Sequence, residues 1–97
     1  MTIISRRLLR EFWDKHPDSA APLQTWFRDV AHANWTSPAD VKLLYRNASF
    51  LANNRIVFNT KGNRYRIVVV ANYQHGMVYI RFVGTHDEYS RIDATTI

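Results

Sequence analysis

Two early segments of the chain carry apolar residues at intervals of three and four, which predicts two amphipathic helices. The apolar positions are Leu8, Leu9, Phe12 and Trp13 in the first and Leu23, Trp26, Phe27 and Val30 in the second. Ser5 stands where a cap of the first helix is expected, and His16-Pro17 ends that helix. The second helix is predicted to start near Asp18 or Ser19.

A third, shorter helix is predicted after Ser37, which precedes a proline and is followed three residues later by Asp40. Its apolar positions are Val41, Leu43 and Leu44. Residues 47–54 contain three Asn and one Ser and are predicted to form a loop.

From residue 55 onward the pattern changes to the period of strands. Strands are predicted over residues 55–59, 64–72 and 77–84, after a short opening strand at Ile3 and Ile4. Residues 67–71 are apolar at every position, which indicates a central strand covered on both faces. Gly62 supplies the positive φ of the first hairpin, and Thr85-x-x-Glu88 is a capping box that starts a final short helix.

These elements predict an α+β fold in which two N-terminal helices pack on a small antiparallel sheet with a short C-terminal helix. The 97 residues are about the length of one small domain, so residues 1–97 are expected to form a single domain. A hydrophobic share of 46% and a charged share of 22% are typical of a globular protein.

The net charge of +5 is concentrated in one part of the chain. Residues 1–40 carry as many acidic as basic groups, and residues 87–97 carry an excess of acid. Residues 41–86 contain no acid and seven basic residues, namely Lys42, Arg46, Arg55, Lys61, Arg64, Arg66 and Arg81. Most basic residues of the chain are Arg, whose planar fork suits bidentate contact with phosphate. The expected partner is therefore a polyanion, and nucleic acid is the first choice.

The composition also excludes several classes of protein. The absence of Cys removes disulfides, thiol catalysis and thiolate metal sites. The chain has no His-Glu-x-x-His motif and no Gly-rich phosphate loop, so neither a metal nor a cofactor is expected. The opening residues lack the apolar core of a signal peptide, and no apolar run reaches the length of about 18 residues that a membrane span needs. We therefore expect a cytoplasmic protein with no membrane partner.

One face of the predicted sheet is basic, because strand alternation places Arg64, Arg66 and Val68 on it. If Thr60 pairs with Asn63 across the first turn, Val57 and Asn59 share this face. The alternative interpretation is a solvated sheet face. Two observations favour a functional use of Arg64 and Arg66. Residues 41–86 contain no acid to neutralise them, and they flank the most apolar strand, where an uncompensated charge is costly.

The second turn decides where Arg81 lies. Pairing Tyr73 with Gly76 gives the pairs Val68–Arg81 and Arg64–Thr85, whereas a slip of one residue moves Arg81 to the opposite face. In the first case, the start of the last helix and four cations line one concave surface. These cations are Lys61, Arg64, Arg66 and Arg81.

His86 is the histidine expected to take part in chemistry, because it follows the last strand and begins the capped helix, where backbone N–H groups also hold phosphate. Tyr89 is the second expected proton-transfer group. The alternatives are a surface role for His86 at the helix start and a core role for Tyr89 beside Ile92, and the capping box already explains Glu88. The other histidines are expected at the surface (His16 and His75) or near a helix C-terminus (His32).

These residues suit the cleavage of a phosphodiester without a metal. Such cleavage needs a base for an attacking 2′-hydroxyl, an acid for the leaving 5′-oxygen and cations around the phosphate. Lys61, Arg64 and Arg66 supply the positive charge, while His86 and Tyr89 are the candidates for proton transfer. A 2′-hydroxyl nucleophile makes RNA the expected substrate.

Residues 54–69 and 78–89 resemble HigB-type toxins of the RelE/ParE superfamily. The resemblance lies in the patterns Val-Phe-Asn-x-x-Gly-Asn-x-Tyr-Arg and Gly-Thr-His-x-Glu-Tyr. Residues 4–17 and 38–42 are also similar, so the resemblance covers nearly the whole chain. It implies the toxin half of a type II toxin–antitoxin pair, an mRNA interferase that cleaves mRNA on translating ribosomes without a metal.

The resemblance further implies which residues form the site. The implied catalytic residues are Arg66, His86, Lys61, Arg64 and Tyr89, of which Arg66 corresponds to the phosphate-binding strand arginine of the superfamily. RelE-like relatives have Arg near position 86 and a C-terminal Tyr a few positions after 89, which leaves the proton-transfer roles open. The predicted RNA-binding residues are Arg81, Arg55, Asn63, Lys42 and Arg46.

The implied partners are mRNA on the ribosome and a helix-turn-helix antitoxin of the HigA type, and the toxin–antitoxin pair is expected to bind operator DNA. Two other functions stay open at this point. One is a non-catalytic poison of DNA gyrase, as in the ParE branch, and the other is a basic RNA- or ribosome-binding module without toxicity.

Overall fold

The computed structural model describes all residues from Met1 to Ile97. The helices are α1 (Arg6–Lys15), α2 (Ala20–His32), α3 (Pro38–Leu44) and α4 (His86–Tyr89), with a 3₁₀ turn at Pro17–Ser19. The strands are β1 (Thr2–Ile4), β2 (Ser49–Leu51), β3 (Arg55–Thr60), β4 (Tyr65–Asn72) and β5 (Met77–Thr85). The predicted helices and the four predicted strands are confirmed within one or two residues at their ends.

The strands form one sheet in the order β1-β5-β4-β3-β2. The predicted α+β fold is confirmed, but the sheet is mixed rather than antiparallel, because β1 runs parallel to its neighbour β5. The chain leaves β1 through α1 and α2, and a parallel neighbour requires a long connection of this kind. The other neighbouring strands are antiparallel.

Strand β2 lies inside residues 47–54, where the sequence predicts only a loop. This strand has three residues and pairs with β3 at the edge of the sheet. Asn53 and Asn54 both adopt a φ of 62° in the turn between β2 and β3, a conformation that Asn tolerates better than most residues. The prediction was wrong because a three-residue strand is too short to show a period among these polar residues.

The first hairpin, between β3 and β4, has a longer loop than the sequence predicts. Thr60 pairs with Tyr65 instead of Asn63, so that residues 61–64 form the turn, with Lys61 and Gly62 at positive φ. The shift is two residues and therefore preserves the faces of the strands. Arg66 and Asn59 therefore share one face, as predicted, and the structure pairs them directly. Arg64, in contrast, belongs to the turn and not to β4.

The second hairpin begins in the predicted register, with Asn72 opposite Met77, and then shifts by one residue. Val69 pairs with Ile80, but Val68 pairs with Phe82, so Arg81 is the extra residue of a β-bulge. The predicted pairing of Val68 with Arg81 is therefore wrong. The predicted pairing of Arg64 with Thr85 is also wrong, because Thr85 lies opposite Tyr65.

The main core lies between the helices and one face of the sheet. The apolar faces predicted for α1 and α2 are confirmed, with Leu9, Leu23, Trp26 and Val30 at 1% exposure or less. Trp35, whose place the sequence leaves undecided, is buried and stacks on Phe58 with ring centroids 6.1 Å apart. No helix is both long enough and apolar enough to cross a membrane.

The second face of the sheet is covered by the segment after α4, residues 90–97, which we call the C-terminal tail. Ala94 of the tail packs with Val57 and Val68, the two central residues of this face. Asn53 donates a hydrogen bond to the Thr95 carbonyl at 3.0 Å, and Arg55 donates to a main-chain oxygen of Ile97. The prediction that the central strand is covered on both faces is thereby confirmed.

Arg55→Ala is expected to loosen the C-terminal tail. The Arg55 guanidinium also donates to the Asn53 carbonyl at 3.0 Å, so its loss removes two charge-assisted hydrogen bonds that hold the tail and the preceding turn. We expect the free energy of unfolding, measured by urea denaturation, to fall by about 2 kcal/mol. Arg10→Ala is the control, because Arg10 is exposed and makes no ion pair. Equal unfolding midpoints for the two variants would contradict the role of Arg55.

Candidate functional site

Arg66 is a half-buried cation on the tail-facing side of β4, near the end of the sheet. Its guanidinium donates a hydrogen bond to Oδ1 of Asn59, its direct neighbour on β3. The guanidinium carbon also lies 5.4 Å from the centroid of the Tyr89 ring, within the range of a cation–π contact. No carboxylate pairs with Arg66, since the ion pairs of the chain involve only Arg7 and Arg64. Arg66 is thus held in place with its positive charge uncompensated.

Gly84 permits the packing under the Tyr89 ring. It lies opposite Arg66 on β5, and a Cβ built at this position would stand 2.3 Å from Cζ of Phe82. The Phe82 ring therefore folds over Gly84, and it packs against Tyr89 with ring centroids 6.5 Å apart. This packing explains physically why a glycine precedes Thr85-His86 in the Gly-Thr-His-x-Glu-Tyr pattern.

Arg64 takes part in a second cluster, which lies at the helix side of the sheet. Its guanidinium donates to Asp18 at 2.9 Å, and the hydroxyl of Tyr65 donates to the other oxygen of the same carboxylate. The backbone N–H of His86 donates to the Arg64 carbonyl at 3.2 Å. Asp18 therefore connects the 3₁₀ turn, the first hairpin and, through Arg64, the start of α4. The same cleft is lined by His16, His86 and Asp87.

The charges of this second cluster shift the pKa of two groups. The hydrogen bond from Tyr65 lowers the pKa of Asp18 below 3.8, and the positive charges of Arg64 and Lys61 lower it further. The same hydrogen bond raises the pKa of the Tyr65 hydroxyl above 10.0, so Tyr65 stays a donor at neutral pH. Both shifts have the same main cause, which is the hydrogen bond between Tyr65 and Asp18.

The single concave surface predicted for Lys61, Arg64, Arg66 and Arg81 is wrong in that form. Arg64 lies in the turn, where side chains no longer alternate between the faces of the sheet, and it bonds Asp18 on the helix side. Arg66 faces the tail side. The two positions are nevertheless separated by only two residues, a span of at most about 7 Å. The guanidinium groups of Arg64 and Arg66 therefore lie on the two sides of one end of the sheet. The exposed His86 belongs to the Arg64 side, and Tyr89 belongs to the Arg66 side.

The other predicted residues lie around these two clusters. Arg46 and Asn63 line one cavity beside Asn59, and Lys42 donates to the Arg46 carbonyl at 3.1 Å. Arg81 is exposed in the bulge, three residues before Gly84 along β5. Arg55 is at the opposite end of β3 from Asn59, with its guanidinium bonded to the tail, and its contact with RNA stays a prediction.

Three residues of the site were not predicted by the sequence. His16, expected at the surface, is half-buried, with its ring stacked on Phe12 at 4.4 Å and tilted 5.7 Å from Tyr65. Asp18 lies outside the acid-free block and reaches Arg64 only through the fold. Asn59 was placed on the correct face, but no pattern in the sequence indicates that it bonds Arg66.

The capping box of α4 is confirmed in both directions. Glu88 N–H donates to Oγ1 of Thr85 at 3.2 Å, and Thr85 N–H donates to the Glu88 carboxylate at 2.8 Å. The second bond is the main reason why the pKa of Glu88 is lowered.

No three His, Cys, Asp or Glu side chains lie close enough together to hold a metal ion.

A comparison with family models decides the class of the protein. The model of the HigB_toxin family, described as the RelE-like toxic component of a toxin-antitoxin system, matches residues 19–92. The chain belongs to this family. The match covers Asn59, Arg64, Arg66 and residues 86–89 of the site but begins after His16 and Asp18. Membership implies an antitoxin as partner.

Individual relatives of this HigB-family chain are named as mRNA interferases. It is 28% identical over 92 residues to the mRNA interferase toxin HigB of Escherichia coli K12, a match that covers 92% of this chain and 88% of the relative. It is 23% identical over 94 residues to the mRNA interferase HigB of Escherichia coli O6:H1, covering 95% of this chain and 91% of the relative. An mRNA interferase HigB of Shigella flexneri is 28% identical over 92 residues.

Asp18→Asn is expected to remove stability in a pH-dependent way. Because folding lowers the pKa of Asp18, its ionised form stabilises the fold above pH 3.8, and this contribution is lost as the pH falls through the lowered value. The variant should therefore be less stable than the wild type at pH 7, and the difference should vanish in acid. Thermal unfolding of both proteins between about pH 2 and pH 7 measures this difference in stability. Asp14→Asn is the control, because the Asp14 side chain forms no ion pair. A constant difference across the pH range would contradict the assignment.

Gly84→Ala is expected to displace the Phe82 ring and to disturb the packing under Arg66. The new methyl group has no room beside Phe82, and such overpacking costs about 1–3 kcal/mol of stability. NMR signals of the Phe82 and Tyr89 rings should shift. Gly76→Ala serves as the control, since nothing lies within 4 Å of its Cβ and only the positive φ of 65° opposes the substitution. Unchanged ring signals in Gly84→Ala would contradict the close approach.

Proposed function

We propose that this HigB-family toxin cleaves mRNA, and that Arg66 binds the phosphate at which the strand is cut. The observation that carries the proposal is the Arg66 guanidinium, which Asn59 and Tyr89 hold in place without any carboxylate beside it. Keeping a half-buried cation unpaired costs free energy, and an anionic ligand removes that cost. The names of the relatives, which are mRNA interferases, support RNA as this ligand.

The proposed reaction is a transesterification that needs no metal. A base takes the proton of the 2′-hydroxyl, and the 2′-oxygen forms a bond to phosphorus. The bond from phosphorus to the 5′-oxygen breaks, and an acid protonates that oxygen. The products are an RNA that ends in a 2′,3′-cyclic phosphate and an RNA that begins with a 5′-hydroxyl. Charge accumulates on the phosphate oxygens in the transition state, where a fixed cation stabilises it most.

In the proposal, side chains of both clusters take part in the reaction, each in a different role. Arg66 contacts the scissile phosphate, and Lys61 and Arg64 add positive charge from the turn. His86 and Tyr89 are the proposed proton-transfer groups. Tyr89 lies beside the Arg66 guanidinium, and the exposed His86 begins α4 at the same end of the sheet. The RNA strand crosses the end of the sheet between the two clusters and continues over Arg46, Asn63, Lys42 and Arg81.

The proposal includes the setting of the reaction. We place the cleavage on mRNA bound to the ribosome in the cytoplasm, in line with the resemblance to RelE-like toxins. The partner is then a helix-turn-helix antitoxin of the HigA type, and the complex of the two proteins binds operator DNA. A gene for such a protein next to that of the toxin is the expected genetic arrangement.

Arg66→Ala is expected to reduce mRNA cleavage by about 100-fold or more, because removal of one fixed donor to a developing oxyanion has an effect of this size. His86→Ala should also reduce cleavage, by about 100-fold. Cleavage of the mRNA is measured by primer extension in the presence and in the absence of purified ribosomes. Each reaction is run with and without a chelator. Arg10→Ala is the matched control, and thermal unfolding shows that each variant is folded.

Full cleavage by Arg66→Ala would overturn the site assignment. Inhibition of DNA supercoiling with intact mRNA would instead favour a gyrase poison. Growth that is unaffected by induction of the toxin would favour a binding module. Cleavage that disappears with the chelator would remove the metal-free mechanism while leaving the nuclease in place.

A further inference from the structure

A cavity next to the Arg66 cluster lies on the proposed path of the RNA strand, but the cleavage reaction itself assigns it no occupant. It lies between residues 44–48, which connect α3 to β2, and the end of the first hairpin. Its volume is about 490 Å³, within the range of about 300–1,000 Å³ that is usual for small-molecule sites. Its apolar wall consists of Leu44, Tyr45, Ala48 and Phe58.

The polar wall of this cavity is rich in amides. It contains Asn47, Asn59 and Asn63 together with Arg46. The side chains of Asn47 and Asn63 make no hydrogen bond within the protein, and the Arg46 guanidinium has no partner either. The amide of Asn53, in contrast, is bound to the tail. Amide and guanidinium groups are the side chains that read the edges of nucleobases.

Asn59 links the cavity to the phosphate site. A guanidinium only donates hydrogen bonds, so the oxygen of the Asn59 amide is fixed toward Arg66. The NH₂ group of Asn59 makes no hydrogen bond within the protein, and Asn59 is one of the residues that line the cavity. Asn59 therefore adjoins both the cation that holds a phosphate and the cavity beside it.

We propose that this cavity binds one nucleobase of the RNA strand whose phosphate lies on Arg66, and that it gives the toxin a preference among bases. The inference rests on the proposed function for the choice of RNA as ligand. The apolar wall covers the base, and the three amides with Arg46 bond its edge. Asn47 and Asn63 determine the preference for the base, whereas Arg66 binds every RNA strand alike.

The test measures binding separately from cleavage. The probes are four 2′-O-methyl trinucleotides, each with one kind of base throughout, and an abasic trinucleotide with the same phosphates. The blocked 2′-oxygen prevents cleavage, so the wild-type protein is used. We expect at least one base to bind about tenfold more tightly than the abasic probe, with shifts of the Asn47, Asn59 and Asn63 side-chain amide signals in NMR spectra.

The variants separate reading of the base from binding of the phosphate. Asn63→Ala and Asn47→Ala should each weaken the preferred trinucleotide by about fivefold to tenfold and leave the abasic probe unchanged. Asn34→Ala, in a loop on another side of the molecule, should change neither. Arg66→Ala should weaken all probes, the abasic one included.

Equal affinities for the five probes would overturn the proposal, as would an unchanged base preference in both Asn47→Ala and Asn63→Ala. Amide shifts confined to residues outside the cavity would overturn it as well. Failure of the proposed function has a different signature, namely intact mRNA on ribosomes with wild-type toxin while the base preference of the trinucleotides persists.

Discussion

The site depends on a positive charge that the fold holds without neutralising it. Arg66 extends from the central antiparallel hairpin, where the strand pairing fixes its backbone and places Asn59 directly opposite. Asn59 and the Tyr89 ring then restrict the guanidinium from two directions. A neutral amide and an aromatic face orient a cation without neutralising it. A carboxylate would also orient the cation, but its negative charge would neutralise the positive one. This choice of partners leaves Arg66 available for an anion.

Arg64 illustrates the opposite arrangement two residues earlier. Its guanidinium is paired with Asp18, and the same carboxylate accepts the hydrogen bond of Tyr65, a buried residue of the helix-facing side. Asp18 therefore ties the first hairpin to the 3₁₀ turn before α2 and, through Arg64, whose carbonyl accepts from the backbone N–H of His86, to the first residue of α4. The ion pair positions this end of the sheet and partly offsets the charge of Arg64, whereas Arg66, Lys61 and Arg46 form no ion pair.

The helices and long strands were predictable because each has its own period in the sequence. The apolar faces of α1 and α2 and the face shared by Arg66 and Asn59 follow from spacing alone. The Asp18–Arg64 pair joins residues 46 positions apart and has no local signal. The bulge at Arg81 and the four-residue turn at 61–64 depend on how neighbouring strands fit together, which periodicity does not determine. The four-residue turn is the reason why Arg64 leaves the side of the sheet that Arg66 faces.

The C-terminal tail sets the boundary of the site on the tail-facing side. Along β3 the positions on this side are Arg55, Val57 and Asn59, and the tail binds the first and covers the second. Only the end at Asn59 is left for a ligand, and there Tyr89 of α4 replaces the tail as the packing partner. The same strand thus supplies an arginine to the structure at one end and an amide to the site at the other. Two side chains on one face of one strand differ in role because of what the end of the chain covers, and strand alternation alone treats them as equivalent.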